Sequence, residues 1–172
     1  MKKFPYYIQT EAKDCGPTCI KIIAKHYGKT INTQQLRALS ETTREGSSLL
    51  GLSDAVESMG FKSLGVKLSF EKLLEAPLPC ILHWNKEHYV VLYKIKTSTA
   101  LSLQKRNEVE MHISDPSHGL ATFTKEEFLK CWIGNNADET TQEGIALLVE
   151  PTPLFYQSEF EEEEKFGFSF IF

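Results

Sequence analysis

The sequence predicts an α+β protein in which a helical half packs on an antiparallel β-sheet. Two observations predict it. Up to Gly60 the apolar residues recur at helical spacing, and beyond Gly60 the period shortens to runs rich in β-branched and aromatic residues. Helices first and strands afterwards is the order of a fold whose helices lie against one sheet rather than alternate with its strands.

The first helix is predicted over Asp14 to Tyr27. Cys19, Ile20, Ile23, Ala24 and Tyr27 recur at helical spacing, Pro17 falls in the first turn where its missing N–H costs nothing, and Gly28 supplies the stop. A second helix begins near Asn32-Thr33 and runs through Gln35, Leu36 and Leu39. The third has Ser47-Ser48 as cap candidates, Leu49, Leu52, Val56 and Met59 on one stripe, and Gly60 as its end. Ahead of these, only Tyr6 to Gln9 offers a short strand. Beyond Gly60 the segments 61–68, 79–84, 88–95, 100–104, 109–114 and 144–151 read as strands. Asn85-Lys86-Glu87 and Lys105-Arg106-Asn107 serve as hairpin loops and Ser69 to Glu75 as a short helix. Thr124 with Glu127 forms the capping box of a last helix that stops before Gly134. From Pro151 the composition changes to prolines, a glutamate run over Glu161 to Glu164 and an aromatic ending, FGFSFIF. The expected organisation is one domain over 1–150 and an acidic, aromatic linker over 151–172, leading toward a transmembrane region outside this chain.

With 172 residues, 41% of them hydrophobic, the chain can bury a proper core. Its net charge of -4 and scattered lysines and arginines argue against nucleic-acid binding, which needs a basic patch or stripe. No apolar run reaches the roughly 20 residues of a membrane helix, and the N-terminus lacks the apolar centre of a secretory signal, so a soluble intracellular domain is expected. The four cysteines are expected as free thiols. Cys15 and Cys19 are one helical turn apart, but without a second close pair the spacing is a weak zinc signal, and neither metal nor cofactor is expected.

The chemistry centres on QTEAKDCGPTC, Gln9 to Cys19. Cys15 stands at the mouth of the first helix, a place that suits a small core residue as well as a nucleophile. A thiol nucleophile needs an imidazole within reach and a third group to orient that imidazole. His26 lies along the same helix, roughly 16 Å away at 1.5 Å per residue, and cannot serve. His83 and His88 flank a hairpin loop, His112 precedes Asp115 and His118 follows it. Of these, His88 opens a strand, where its side chain can face a helix N-terminus across a cleft. Asp115 ends another strand, whose exit Pro116 stiffens, and it suits an orienting carboxylate. Gln9 lies upstream as a donor toward a developing oxyanion. Gln9, Cys15, His88 and Asp115 thus supply every part that acyl transfer by a thiol requires. A helix N-terminus and an imidazolium both stabilise negative charge on a sulfur placed there. Each residue also has an ordinary reading, as core cysteine, strand-end histidine, turn aspartate and surface amide. The ordinary readings place no constraint on the order Gln, Cys, His, Asp.

These residues carry a resemblance. Gln9-x5-Cys15-Gly16-Pro17, Tyr27-Gly28, Gly51-Leu52, Gly60-Phe61, His88-Tyr89-Val90-Val91-Leu92, Asp115-Pro116, and Phe128 with Trp132-x-Gly134 resemble the C39 peptidase family. This family comprises cysteine peptidase domains at the N-terminus of bacterial peptidase-containing ABC transporters, and the match covers about residues 5 to 150. The resemblance implies a papain-like fold and cleavage of a leader peptide after a Gly-Gly type pair. Carried across, Cys15 is the nucleophile, His88 the general base and acid, Asp115 the orienting residue and Gln9 the oxyanion donor. The implied partners are a precursor peptide with a helical leader and the transmembrane and nucleotide-binding domains of an ABC transporter. The implied location is the cytoplasmic side of the bacterial inner membrane. Some relatives keep the fold but lose the cysteine, so a leader-binding module that does not cut is the alternative. Trp84 or Tyr89 is expected to wall the narrow cleft that paired glycines would enter. The segments 108–114 and 135–144 have no assigned family equivalents.

Overall fold

The computed structural model describes residues 2–98, 108–134 and 142–159. The predicted strand 100–104, the loop 105–107, the glutamate run and the aromatic ending lie outside the described residues.

A 3-10 turn at Ala12–Asp14 leads into α1 (Cys15–His26), followed by α2 (Thr33–Leu39) and α3 (Leu49–Ser58). Their starts are fixed by side-chain caps: Asn32 accepts from the Gln34 N–H and Ser48 from the Gly51 N–H. Tyr6 to Gln9 forms no strand. It is held by isolated bonds instead, with Ser114 Oγ donating to the Pro5 carbonyl at 3.0 Å and the Gln9 N–H to the Pro116 carbonyl at 2.8 Å.

The strands are β1 (Phe61–Ser69), β2 (Cys80–Trp84), β3 (His88–Thr97), β4 (Val109–Asp115), β5 (Gly119–Thr124) and β6 (Glu143–Pro151). They form one antiparallel sheet in the order β1-β6-β2-β3-β4-β5. The edge strand β5 escaped the sequence reading. Its residues Gly119 to Thr124 are small or half-exposed and lack the apolar run that marked the others.

Helices cover both faces of this sheet rather than one. Ile81, Tyr89, Val91, Leu147 and Val149 join the core under α1, α2 and α3. Their neighbours along the same strands, Cys80, Leu82, Val90, Leu92 and Ala146, turn to the other side because successive strand residues alternate faces. There they meet α4 (Phe70–Leu73) and α5 (Lys125–Trp132). Trp84 belongs to this second core, with its ring centroid 5.4 Å from Phe123 and 5.3 Å from Phe128. It is 3% exposed and packs there, while its register partner across β2 and β3 is His88.

Packing continues past Pro151. A short helix, α6 (Pro153–Gln157), sets Phe155 fully buried against Phe61, ring centroids 4.6 Å apart. The Thr152 N–H and Oγ both donate to the Gly60 carbonyl, at 2.9 and 2.5 Å, and Lys29 Nζ donates to the carbonyls of Phe155 and Ser158. Gly60 permits this contact, since its φ of +99° is left-handed and a Cβ there would collide with the backbone of Leu154 and Phe155. No helix among the described residues is long and apolar enough to cross a membrane.

Candidate active site

Two contacts fix the first turn of α1. Asp14, immediately before Cys15, is fully buried, and the Arg37 side chain of α2 grips both of its carboxylate oxygens, with Nε 2.7 Å from Oδ1. Hydrogen bonding to Arg37 holds the Asp14 carboxyl below the usual carboxylate range despite its burial. On the other side, a Cβ on Gly16 would come within 2.8 Å of Leu52 Cδ2 and 3.0 Å of Ser47. A glycine there lets α1 begin directly against the entry to α3. Cys15 is thus held at the helix N-terminus, only 4% exposed.

The partner side chains come from the sheet. His88 is the first residue of β3, the strand against which α1 packs. Its Nε2 lies 2.7 Å from Asp115 Oδ1, and Cys15 is near enough to favour the protonated ring by hydrogen bonding and charge. Burial disfavours the imidazolium, but hydrogen bonds and charge from Asp115 and Cys15 outweigh it and raise the His88 pKa to about 9. Asp115 ends β4 and opens a tight turn closed by the His118 N–H on its carbonyl at 3.1 Å. Its carboxylate also accepts the Ser117 N–H at 2.8 Å and faces His118 Nδ1 at 3.2 Å. Burial would raise the Asp115 pKa, yet these donors, His88 first, keep it below the ordinary range.

Tyr89 and Cys19 flank the thiol. Burial, with the charges of Cys15 and Cys19, pushes the Tyr89 hydroxyl up to about 12, so it remains a neutral phenol. Cys19 is completely buried one turn along α1, and burial raises its pKa well above the ordinary value. Of the two neighbouring thiols, only Cys15 is paired with an imidazole.

Gln9 reaches the same place. Its backbone is anchored to Pro116, and its amide Nε2 donates to the carbonyls of Glu11 at 3.0 Å and Ala12 at 3.3 Å. Its Oε1 lies 3.4 Å from Ser117 Oγ. The four predicted residues therefore gather at one end of α1 and the sheet, although the Gln9 donor is engaged with main-chain carbonyls beside Cys15. Ser117 was missed in the sequence. Its signal was Asp115-Pro116-Ser117-His118, a pattern in which an aspartate oxygen accepts the backbone N–H two residues on. The remaining histidines lie elsewhere: His26 at the end of α1 beside Phe4, His83 in β2 beside Tyr89, and His112 in β4 beside Tyr93. Among the described residues, no group of three or more His, Cys, Asp or Glu side chains could hold a metal ion.

Comparison with known proteins fits this geometry. A model of the Peptidase C39 family matches residues 3–138. The chain belongs to the C39 peptidase family. This C39 domain is 40% identical over 140 residues to the lactococcin-G-processing and transport ATP-binding protein LagD of Lactococcus lactis subsp. lactis, covering 78% of this chain and 18% of that protein. It is 31% identical over 155 residues to the colicin V secretion/processing ATP-binding protein CvaB of Escherichia coli, covering 85% of this chain and 21% of that one. The chain spans about a fifth of the length of these relatives. Among solved structures, a double glycine motif protease from an AMS/PCAT transporter, in complex with the leader peptide, superimposes with a TM-score of 0.72. Identity to it is 29%, covering 87% of this chain and 93% of that one. The peptidase domain of Streptococcus ComA, a bi-functional ABC transporter involved in a quorum sensing pathway, gives a TM-score of 0.69 at 26% identity, covering 87% and 100%. The papain-like α+β fold of C39 peptidase domains is thus the fold of this chain.

Proposed function

We propose that this chain is a cysteine endopeptidase that removes the leader from a precursor peptide after a Gly-Gly type pair. The observation that carries this reading is the convergence of Cys15, His88 and Asp115, with His88 Nε2 2.7 Å from Asp115 Oδ1 and Cys15 near enough to the ring to help raise its pKa. Its relatives are processing and transport proteins, and a structural neighbour is a double glycine motif protease with a leader peptide bound, which supports the substrate class.

At neutral pH the His88 imidazole, held at about 9, carries its proton. Cys15, paired with that imidazolium, attacks the carbonyl carbon of the last leader residue, forming a C–S bond and placing the electron pair of the C=O on oxygen. That oxyanion is met by the backbone N–H of Cys15 and by Gln9 Nε2, once the amide turns away from the carbonyls of Glu11 and Ala12. His88 gives its proton to the departing amine as the C–N bond breaks, and a thioester remains. Water, deprotonated by His88, then adds to the thioester and releases the leader as a free acid. Asp115 keeps the ring oriented and its charge compensated throughout. Tyr89, close to the thiol and buried, remains the side chain suited to line the narrow cleft. Paired glycines fit such a cleft because backbone enters where side chains cannot.

The wider setting belongs to the same proposal. The domain acts on the cytoplasmic side of a bacterial inner membrane, joined to the transmembrane and nucleotide-binding domains of an ABC transporter, and residues 151–172 include the connection. The test is incubation of the domain with a Gly-Gly leader precursor, beside Cys15→Ala, with the cut located by mass spectrometry. A cut directly after the second glycine, lost in the variant, is expected. Leader binding without any cut across a panel of precursors would replace this reading with the tethering module.

A further inference from the structure

Ser117 lies where the two halves of the site meet. Its backbone N–H donates to Asp115 Oδ1 at 2.8 Å, while its hydroxyl oxygen is 3.3 Å from His88 Nε2 and 3.4 Å from Gln9 Oε1. The tight turn after β4 explains the placement, since Ser117 stands two residues beyond Asp115, which ends the strand. The Gln9 N–H on the Pro116 carbonyl, at 2.8 Å, brings the N-terminal segment to the same turn.

The donor inventory fixes the direction of this chain. His88 Nε2 aims its proton at the Asp115 carboxylate, so Ser117 Oγ can only accept a share of that N–H. The hydroxyl hydrogen is left for Gln9 Oε1, which is an acceptor and nothing else. An amide held by its oxygen has its Nε2 facing the other way, toward the segment that ends in Cys15. A flipped amide would instead turn Oε1 toward a developing oxyanion and repel it. At 3.3 and 3.4 Å the hydroxyl contacts are long.

We propose that Ser117 is a positioning residue that couples Gln9 to the His88–Asp115 pair, fixing which way the amide faces so that, when Nε2 leaves the carbonyls of Glu11 and Ala12, an N–H and not the amide oxygen meets the oxyanion. This role rests on the peptidase reading above and touches no substrate atom. Ser117→Ala keeps the backbone N–H on Asp115 and removes only the hydroxyl. Four measurements test it: kcat and KM on a Gly-Gly leader precursor, and affinity for a Gly-Gly peptide aldehyde and for the matching carboxamide. The aldehyde forms a hemithioacetal with Cys15 and needs the oxyanion donor, and the carboxamide does not. A misoriented donor costs less than an absent one, so Ser117→Ala should lower kcat and aldehyde affinity each about tenfold. KM and carboxamide affinity stay unchanged, Ser117→Thr recovers most of the loss, and in a Gln9→Ala background Ser117→Ala adds almost nothing. An active wild type with an indifferent Ser117→Ala overturns the role, as does a loss that persists in full without Gln9 or is matched in carboxamide affinity. A wild type that neither cuts nor captures the aldehyde through Cys15 overturns the peptidase reading, and this role with it.

Discussion

Replacing Asp115 by Asn separates charge from shape at the centre of the site. The amide oxygen can still accept from His88 Nε2 and from the Ser117 N–H, which lie 2.7 and 2.8 Å from Oδ1, so the turn and the ring position survive. What vanishes is the negative charge. His88 sits at about 9 against an ordinary 6.5 because hydrogen bonds and charge from Asp115 and Cys15 overcome burial, which acts the other way. Without the carboxylate the midpoint should fall by at least about one unit, each unit being worth roughly 1.4 kcal/mol before solvent screening at this half-buried ring reduces it. NMR titration of the His88 ring from about pH 5 to 10 reads this directly, with His26 and His83, both lowered by burial, as internal references. Stability must follow the same sign. A histidine whose folded pKa is raised contributes fully below its unfolded value near 6.5 and loses that contribution as pH rises toward about 9. The melting temperature of the wild type should therefore decline across that window, and the decline should flatten in Asp115→Asn. A wild-type His88 that titrates near 6.5, or a midpoint that the substitution leaves in place, would refute the ion-pair account.

Other consequences are equally open to measurement. Arg37→Ala leaves the fully buried Asp14 charge without its cation and should cost about 3–5 kcal/mol in urea unfolding. That loss should shrink on acidification, because Asp14 would then be buried in its protonated form. Phe155→Ala empties a fully buried ring site against Phe61 and should cost about 3–5 kcal/mol by the same assay, although residue 155 lies outside the span matched by the family. Under native conditions iodoacetamide should label Cys15 while sparing Cys19 and Cys80, which are wholly buried and whose thiols burial pushes up, Cys80 to about 12. Rapid labelling of Cys19 would show that the first turn of α1 opens.

Local signals in the sequence carried the fold a long way. The caps at Asn32, Ser48 and Thr124 and the glycine stops at Gly28 and Gly60 each rest on a few neighbouring residues, and the helices begin and end beside them. What escaped depended on distant partners. Gly119 to Thr124 becomes a strand because β4 offers a free edge, Tyr6 to Gln9 does not because its bonds are isolated, and α6 forms because Gly60 leaves room for it. The same distinction holds in the site. Gln9, Cys15, His88 and Asp115 are chemically conspicuous residue types in telling local contexts. Ser117 is ordinary in composition, and its interest comes from contacts with Gln9 and His88, 108 and 29 residues away in the chain.

Strand order imposes a schedule on synthesis. Among the described residues β6, the sixth strand in chain order, lies between β1 and β2, so β1 joins the sheet through residues 143–151. A nascent chain can pair β2 with β3 as soon as both leave the ribosome, but β1 has no neighbour until β6 emerges. Helix α3 packs on β1 and on β6, and the N-terminus of α1 is wedged against the entry to α3. The wall behind the thiol is thus finished by residues 143–151, well after the thiol itself has been made. A half-made domain would own Cys15, His88 and Asp115 without the frame that aligns them.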